Sequence, residues 1–146
     1  MKIVLFIIIG ILLGYIVKMI VNWLKIDNYI MSRKNFFLEA VGALMVTWSA
    51  VNLGIEEAVI FSIIALTLAG ISVIDFHTFE IPLIFIIIGV VASIAGILLK
   101  VIFLSAAFWG IFVGALIPLA IMLILWTITK RQGMGYGDIQ LGIVLG

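Results

Sequence analysis

Five long apolar segments, separated by short polar stretches, dominate the pattern of this chain. They cover residues 3–24, 36–53, 59–74, 81–99 and 103–128, without strict alternation of apolar and polar positions. Each is close to the ~20 residues that a helix needs to cross the apolar core of a bilayer. Barrel strands are shorter and alternate in polarity. The pattern therefore predicts an all-α, polytopic helical membrane protein with five complete transmembrane helices.

Both ends of the chain belong to this pattern. A sixth apolar segment starts near Asp138 and stops at Gly146, which is too short to cross a bilayer. We therefore expect a single integral membrane domain over residues 1–146 that is truncated at its C-terminus. The first segment starts like a signal peptide, but no A-x-A cleavage site closes it, so we interpret it as an uncleaved membrane helix.

Composition supports the membrane interpretation and excludes several kinds of site. Hydrophobic residues make up 66% of the chain and charged residues 10%, and the mean hydropathy is +1.49. A net charge of +1 without a basic block argues against a nucleic-acid partner. The chain has no cysteine, which excludes disulfides and thiolate zinc sites. One histidine and seven acidic residues leave little material for a metal, so we expect no metal and no cofactor.

The basic residues predict an orientation in the membrane. Three of them lie in the loop after the first segment and two follow the fifth segment, whereas the opposite side carries two basic residues and two acids: Lys25, Arg33, Lys34; Lys130, Arg131; Lys2, Lys100; Glu56, Glu57. Because cytoplasmic loops carry the excess of Lys and Arg, we expect the N-terminus outside the cell. This topology places both Asp75 and Asp138 at the cytoplasmic face.

Asp75 and Asp138 are the candidate catalytic residues, because carboxylates at the ends of membrane helices are costly and commonly functional. Two carboxyl groups that lie close together share a proton and titrate as a pair. The ionised group can then activate water while the protonated group donates to a carbonyl oxygen. The glycines at Gly135 and Gly137 would leave room beside Asp138 for an extended substrate strand.

Three stretches together resemble the type IV prepilin peptidase family. They are Asp75 followed by Ile81-Pro82, the G-x-G-D run of residues 135–141, and Ser32-Arg33 with Leu38-Glu39. The resemblance covers roughly residues 32–142. It implies an intramembrane aspartic endopeptidase of the prokaryotic cytoplasmic membrane, which cleaves the basic leader from prepilin or pseudopilin precursors after a glycine at the cytoplasmic face.

The resemblance also assigns residues. Asp75 and Asp138 would be the catalytic pair, and the substrate-binding or motif-supporting residues would be Gly135, Tyr136, Gly137, Glu80 and Pro82. The partners would be the substrate helix and the lipid bilayer. The chain departs from members with zinc-binding C-x-x-C pairs in a long first loop, so no zinc is expected, and N-methylation with S-adenosylmethionine does not follow. It also has Leu83 and Gln140 where the family often has Asn or Asp, and Lys.

Other interpretations of the polar residues stay open at this point. Asp138 could cap a helix, and Glu80 could face water. His77 could be solvated or could tune the aspartate pair. Glu39 could form an interfacial ion pair near Arg33, and Lys18 could extend to the lipid headgroups.

Two functions of other classes are also compatible with the sequence. One is a non-catalytic membrane subunit of a pilus or secretion assembly system, and the other is a proton or ion carrier. The Gly10-xxx-Gly14, Gly110-xxx-Gly114 and Gly142-xxx-Gly146 spacings predict close helix packing and no chemistry.

Overall fold

A computed structural model describes residues 2–129 as a series of helices. The helices are α1 (Lys2–Leu24), α2 (Phe37–Asn52), α3 (Ile55–Thr78), α4 (Leu83–Leu98) and α5 (Leu104–Thr129), with a 3-10 turn at Ile26–Asn28 after α1. The described residues form no strand, so the all-α class is confirmed for this part of the chain.

The number of complete membrane crossings is confirmed only in part. Three helices are long and apolar enough to cross a membrane: α1, α3 and the segment Leu104–Ile121 of α5. The other two, α2 and α4, are apolar but have 16 residues each. At 1.5 Å per residue they extend about 24 Å, less than the ~30 Å of a typical apolar core.

Local chemistry explains why the helix ends differ from the predicted segment ends. The side chain of Asn35 accepts a hydrogen bond from the Phe37 backbone N–H (3.0 Å), which favours a start of α2 at Phe37. The Glu57 carboxylate accepts the N–H of Gly54 (3.3 Å), so α3 begins four residues earlier than the apolar pattern predicted. The polar residues in the first turn therefore belong to α3, although a prediction based on apolar residues alone leaves them out.

The first two helices form a closely packed antiparallel hairpin. A Cβ atom added to Gly14 would lie 2.7 Å from the Cα of Glu39, and one added to Gly10 would lie 2.7 Å from the Cα of Ala43. Gly42 of α2 faces Gly10 of α1, and a Cβ atom added to Gly42 would also collide with the α1 backbone. The predicted packing role of Gly10-xxx-Gly14 is confirmed. These two glycines contact the face of α2 that contains Gly42.

The remaining helices are added to this hairpin in sequence. Helix α3 packs against α2 and α1, and α4 packs against α3. Within the described residues, α5 forms no comparably extensive interface, and most of its described large apolar side chains are exposed. The main buried cluster lies where the α1–α2 loop meets the end of α3 and the start of α4; its residues are Val21, Met31, Leu38, Ile71, Val73, Ile74 and Phe85.

Candidate active site

Asp75 lies in the last turn of α3 rather than after its end. The helix continues to Thr78, and the Asp75 backbone carbonyl accepts a hydrogen bond from the N–H of Phe79 (2.9 Å). Phe79 adopts a left-handed conformation (φ 54°), which stops the helix and turns the chain towards α4. The sequence interpretation, which ended the span at residue 74, was wrong by one turn, because the helix extends through the polar residues that follow its apolar part.

The Asp75 side chain is half-buried at this helix end. Among residues 2–129, no basic side chain forms an ion pair with it. A carboxyl group in such a position is not committed to a structural salt bridge, so it is available to pair with another acid or with a substrate.

His77 and Tyr29 bring the first loop onto the same helix end. Their rings stack with centroids 4.3 Å apart and an interplanar angle of 25°. The His77 Nδ1 atom lies 2.8 Å from the Val73 carbonyl oxygen, and since that oxygen can only accept, Nδ1 carries the hydrogen. The loop that holds Lys25, Arg33 and Lys34 therefore lies at the Asp75 end of the molecule.

Burial also acts on the tyrosine of this stack. Partial burial raises the pKa of the Tyr29 hydroxyl, because the charged phenolate is less well solvated there. Neither Tyr29 nor its contact with His77 was singled out in the sequence. The signal for this contact in the sequence was the aromatic ring of Tyr29 in a polar loop.

Glu80 and Pro82 form the turn that joins α3 to α4. Glu80 is exposed, in keeping with the alternative that it faces water. Pro82 is buried and immediately precedes α4, one residue before the first-turn position predicted for it, and its carbonyl accepts the N–H of Phe85 (3.1 Å). Phe85 is buried against Gly70, where an added Cβ would lie 2.9 Å from its ring. The turn is therefore fixed by the packing of α4 on α3.

The other predicted site residues are Asp138, Gly135, Tyr136 and Gly137, and they lie outside the described residues 2–129. The structure consequently gives no distance between Asp75 and Asp138. Their pairing stays a prediction from the sequence.

Lys18 and Glu39 form a buried charged pair that was not predicted from the sequence. Lys18 is 5% exposed and its ammonium forms an ion pair with Glu39 Oε1 (2.9 Å), a residue that is 7% exposed. The same ammonium donates to the backbone carbonyls of Arg33 and Asn35. The interpretation of Lys18 was wrong, because its side chain does not extend to the headgroups. Glu39 forms an ion pair, as expected, but its partner is Lys18 on α1 rather than a residue of the loop or of α2.

The signal for this pair was present in the glycine spacing. Lys18 follows Gly10 and Gly14 at intervals of four residues, and so lies on the α1 face that contacts α2. Glu39 precedes Gly42 by three residues on the facing helix. A stripe of small residues that continues into a basic residue on one helix and an acidic residue on the other predicts a pair across the interface.

The sequence of this chain matches a known protein family. A family model for the type IV leader peptidase family matches residues 60–146, more than half of the chain. The chain belongs to the type IV leader peptidase family. No curated protein and no solved structure matches it significantly.

The extent of the leader peptidase match separates two parts of the molecule. It includes Asp75, the α3–α4 turn and residues 135–138, whereas α1, α2 and the Lys18–Glu39 pair precede it. Family membership and the apolar helices together indicate a membrane protease of the leader peptidase type. Within residues 2–129, no group of three or more potential metal-ligating side chains occurs.

Proposed function

We propose that this protein is an intramembrane aspartic endopeptidase that removes the basic leader from type IV prepilin or pseudopilin precursors. The observation that carries the proposal is the position of Asp75. It is half-buried in the last turn of an apolar helix, without a basic partner in the described region, and it lies inside the segment that matches the leader peptidases. Asp138, in the G-x-G-D run of the same segment, is the proposed second acid.

The proposed mechanism uses the two carboxyl groups in different protonation states. When two carboxyl groups are close, one proton is shared between them. The ionised group removes a proton from a water molecule, which attacks the scissile carbonyl, and the protonated group donates to the carbonyl oxygen. A proton then passes to the leaving amine, and the peptide bond breaks. Residues Gly135 and Gly137, with Tyr136 between them, would admit the extended substrate.

The proposed arrangement places this chemistry at the cytoplasmic face of a prokaryotic membrane. The chain would act as a single membrane domain with five crossings and its N-terminus outside. The precursor's apolar helix would dock between the spans, with its cleavage site at the inner surface. A basic leader is complementary to the acids Asp75, Glu80 and Asp138 at that surface. The turn at Pro82 would hold Asp75 and Glu80 at a constant depth relative to the membrane surface.

Co-expression with a candidate precursor tests the proposal. The unmodified chain should produce the shorter mature form on a gel, and Asp75→Asn and Asp138→Asn should each abolish the shift. Glu56→Gln is the matched control, since Glu56 is an exposed acid at the opposite end of α3 and should leave cleavage unchanged. Cleavage that survives both aspartate substitutions would contradict the aspartic mechanism.

The pairing of the two acids has an independent test. The 146 residues of this chain include no cysteine, so Asp75→Cys combined with Asp138→Cys introduces its two thiols. We expect this pair to form a disulfide under mild oxidation, since disulfides require Cα atoms within about 7 Å. The control pair, Glu56→Cys with Asp138→Cys, should not cross-link. Cross-linking of neither pair would argue against a dyad and favour a non-catalytic membrane subunit.

A further inference from the structure

The last turn of α3, which carries Asp75, is only partly supported by packing. Ile74, just before this turn, is 1% exposed, whereas Phe76 is 80% and Phe79 is 89% exposed. Terminal turns with few buried side chains open locally at a lower free energy than the middle of a helix. A carboxyl group that has to meet a second acid from such a turn therefore needs a contact that holds the turn in place.

The ring of Tyr29 in the α1–α2 loop supplies such a contact. It stacks on the His77 ring at a centroid distance of 4.3 Å, and it packs against the main buried cluster. The His77 Nδ1 atom donates to the Val73 carbonyl (2.8 Å), which fixes the orientation of the imidazole. The loop is therefore joined to the turn of Asp75 through two oriented rings.

The loop that presents Tyr29 is itself anchored to α1. The Asn22 side chain accepts the N–H of Met31 (2.7 Å) and donates to the carbonyl of the same residue (3.4 Å). Met31 belongs to the main buried cluster, and Lys18 holds the Arg33 carbonyl (3.4 Å) further along the loop. These contacts place Tyr29 in a defined position, so its ring can restrain the helix end instead of moving with it.

We propose that Tyr29 is a positioning residue for Asp75. Through its stack on His77, it holds the last turn of α3 and so fixes the Asp75 carboxyl group for the reaction. Misplacement of a catalytic group by about 1 Å can lower a rate by up to about 100-fold, so a contact of this kind affects the chemistry. The catalytic meaning of this inference rests on the proposed function. It adds a residue that precedes the family match at residues 60–146.

Hydrogen exchange of the detergent-solubilised full chain tests the contact without reference to activity. We expect Tyr29→Leu to speed amide exchange at residues 75–79 about fivefold, as for the loss of one aromatic pair. Exchange at residues 66–71, in the middle of α3, should not change, which separates this effect from general destabilisation. Tyr29→Phe keeps the stacked ring and should exchange as the unmodified chain does. Tyr15→Leu, at an exposed position of α1, is the matched control and should also have no effect.

Cleavage kinetics connect the contact to Asp75. Tyr29→Leu should lower kcat about tenfold and change KM less than about twofold, because it displaces a catalytic group and leaves substrate binding intact. Tyr29→Phe should keep the unmodified kcat. His77→Ala should lower kcat as well, and the double variant Tyr29→Leu/His77→Ala should lose little more than His77→Ala alone, since both changes remove the same contact.

Three results overturn the inference. They are unchanged exchange at residues 75–79 in Tyr29→Leu, losses of kcat that multiply in the double variant, and a higher KM with unchanged kcat, which would make Tyr29 a substrate contact. An unmodified chain that cleaves no precursor, with exchange as expected, contradicts the proposed function but supports the restraint of the Asp75 turn by Tyr29.

Discussion

At the scale of single residues, the Lys18–Glu39 pair is a buried ion pair between the first two helices. Both side chains are more than nine-tenths buried, and Lys18 also holds two carbonyls of the loop before α2. Removal of one partner leaves the other charge buried without compensation, which costs far more than removal of both. The pair is therefore an internal connection between α1, the loop and α2, rather than a surface ion pair.

Replacement of one partner should consequently be worse than replacement of both. We expect Lys18→Met to lower the free energy of unfolding by about 3 kcal/mol. The double variant Lys18→Met/Glu39→Leu should recover at least about 1 kcal/mol of this loss, because no buried charge is left unpaired. Denaturant unfolding of the detergent-solubilised chain measures both values.

The control for this comparison is Lys2→Met, which changes an exposed lysine at the other end of α1 and should have little effect. A double variant that is less stable than Lys18→Met alone would contradict the pairing in the structure.

Tyr29 predicts a pH dependence at the same scale. Burial raises the pKa of its hydroxyl above the usual 10.0. As the pH rises above 10.0, the unfolded chain loses this proton first, so the folded chain binds more protons. Stability is therefore fully present below that value and falls as the pH rises through the folded-state pKa.

Tyr29→Phe should make the alkaline loss of stability less steep, while stability near neutral pH stays almost constant because the phenyl ring keeps its stack on His77. Thermal unfolding of the solubilised chain across alkaline pH measures this. An unchanged alkaline slope in Tyr29→Phe would show that its ionisation is not coupled to folding.

At the scale of helices, the glycine contact of α1 with α2 sets the geometry of the hairpin. Added Cβ atoms at Gly10, Gly14 or Gly42 would collide with the backbone of the facing helix. Backbone cannot move aside as a flexible side chain can, so any larger residue has to separate the helices. The separation would also pull Lys18 away from Glu39, which lie on the same interface.

A matched pair of glycine substitutions isolates this effect. Gly14→Ser should destabilise the chain by about 2 kcal/mol through overpacking, although serine favours a helix more than glycine does. Gly54→Ser should have little effect, because an added Cβ there meets only the Glu57 side chain at 3.8 Å and serine is a favoured residue at a helix start. Unfolding of both variants in one detergent supplies the comparison, and equal stabilities would contradict the close approach of α1 and α2.

At the scale of the whole molecule, the Tyr29–His77 stack and the Lys18 contacts join the basic loop to one end of the helical assembly. Glu56 and Glu57 start α3 at the other end. The distribution of charge therefore distinguishes the two ends, and the excess of positive charge predicts that the Asp75 end faces the cytoplasm.

The absence of cysteine allows a direct test of this orientation. A thiol introduced as Ser32→Cys should react with a membrane-impermeant maleimide only after the cells are permeabilised. One introduced as Glu56→Cys should react in intact cells. Both positions are exposed, so a difference reports the membrane side rather than burial. The opposite labelling pattern would reverse the orientation and would place Asp75 outside the cell.

The sequence by itself determined the helical class, the approximate helix positions, the Asp75 motif and the family. These properties follow from apolar segment length and from residues adjacent in the chain, such as Ile81 and Pro82 after Asp75. The glycine spacing of α1 similarly predicted close packing, because residues four apart share a helix face.

Only the tertiary structure decided which distant groups meet. The partner of Lys18 is 21 residues away, and Tyr29 reaches His77 across 48 positions of the chain. Such contacts depend on how helices cross and how a loop folds back, which local periodicity does not encode. The burial of Lys18 has the same origin, since it depends on the three acceptors that packing brings within hydrogen-bonding distance of its ammonium group.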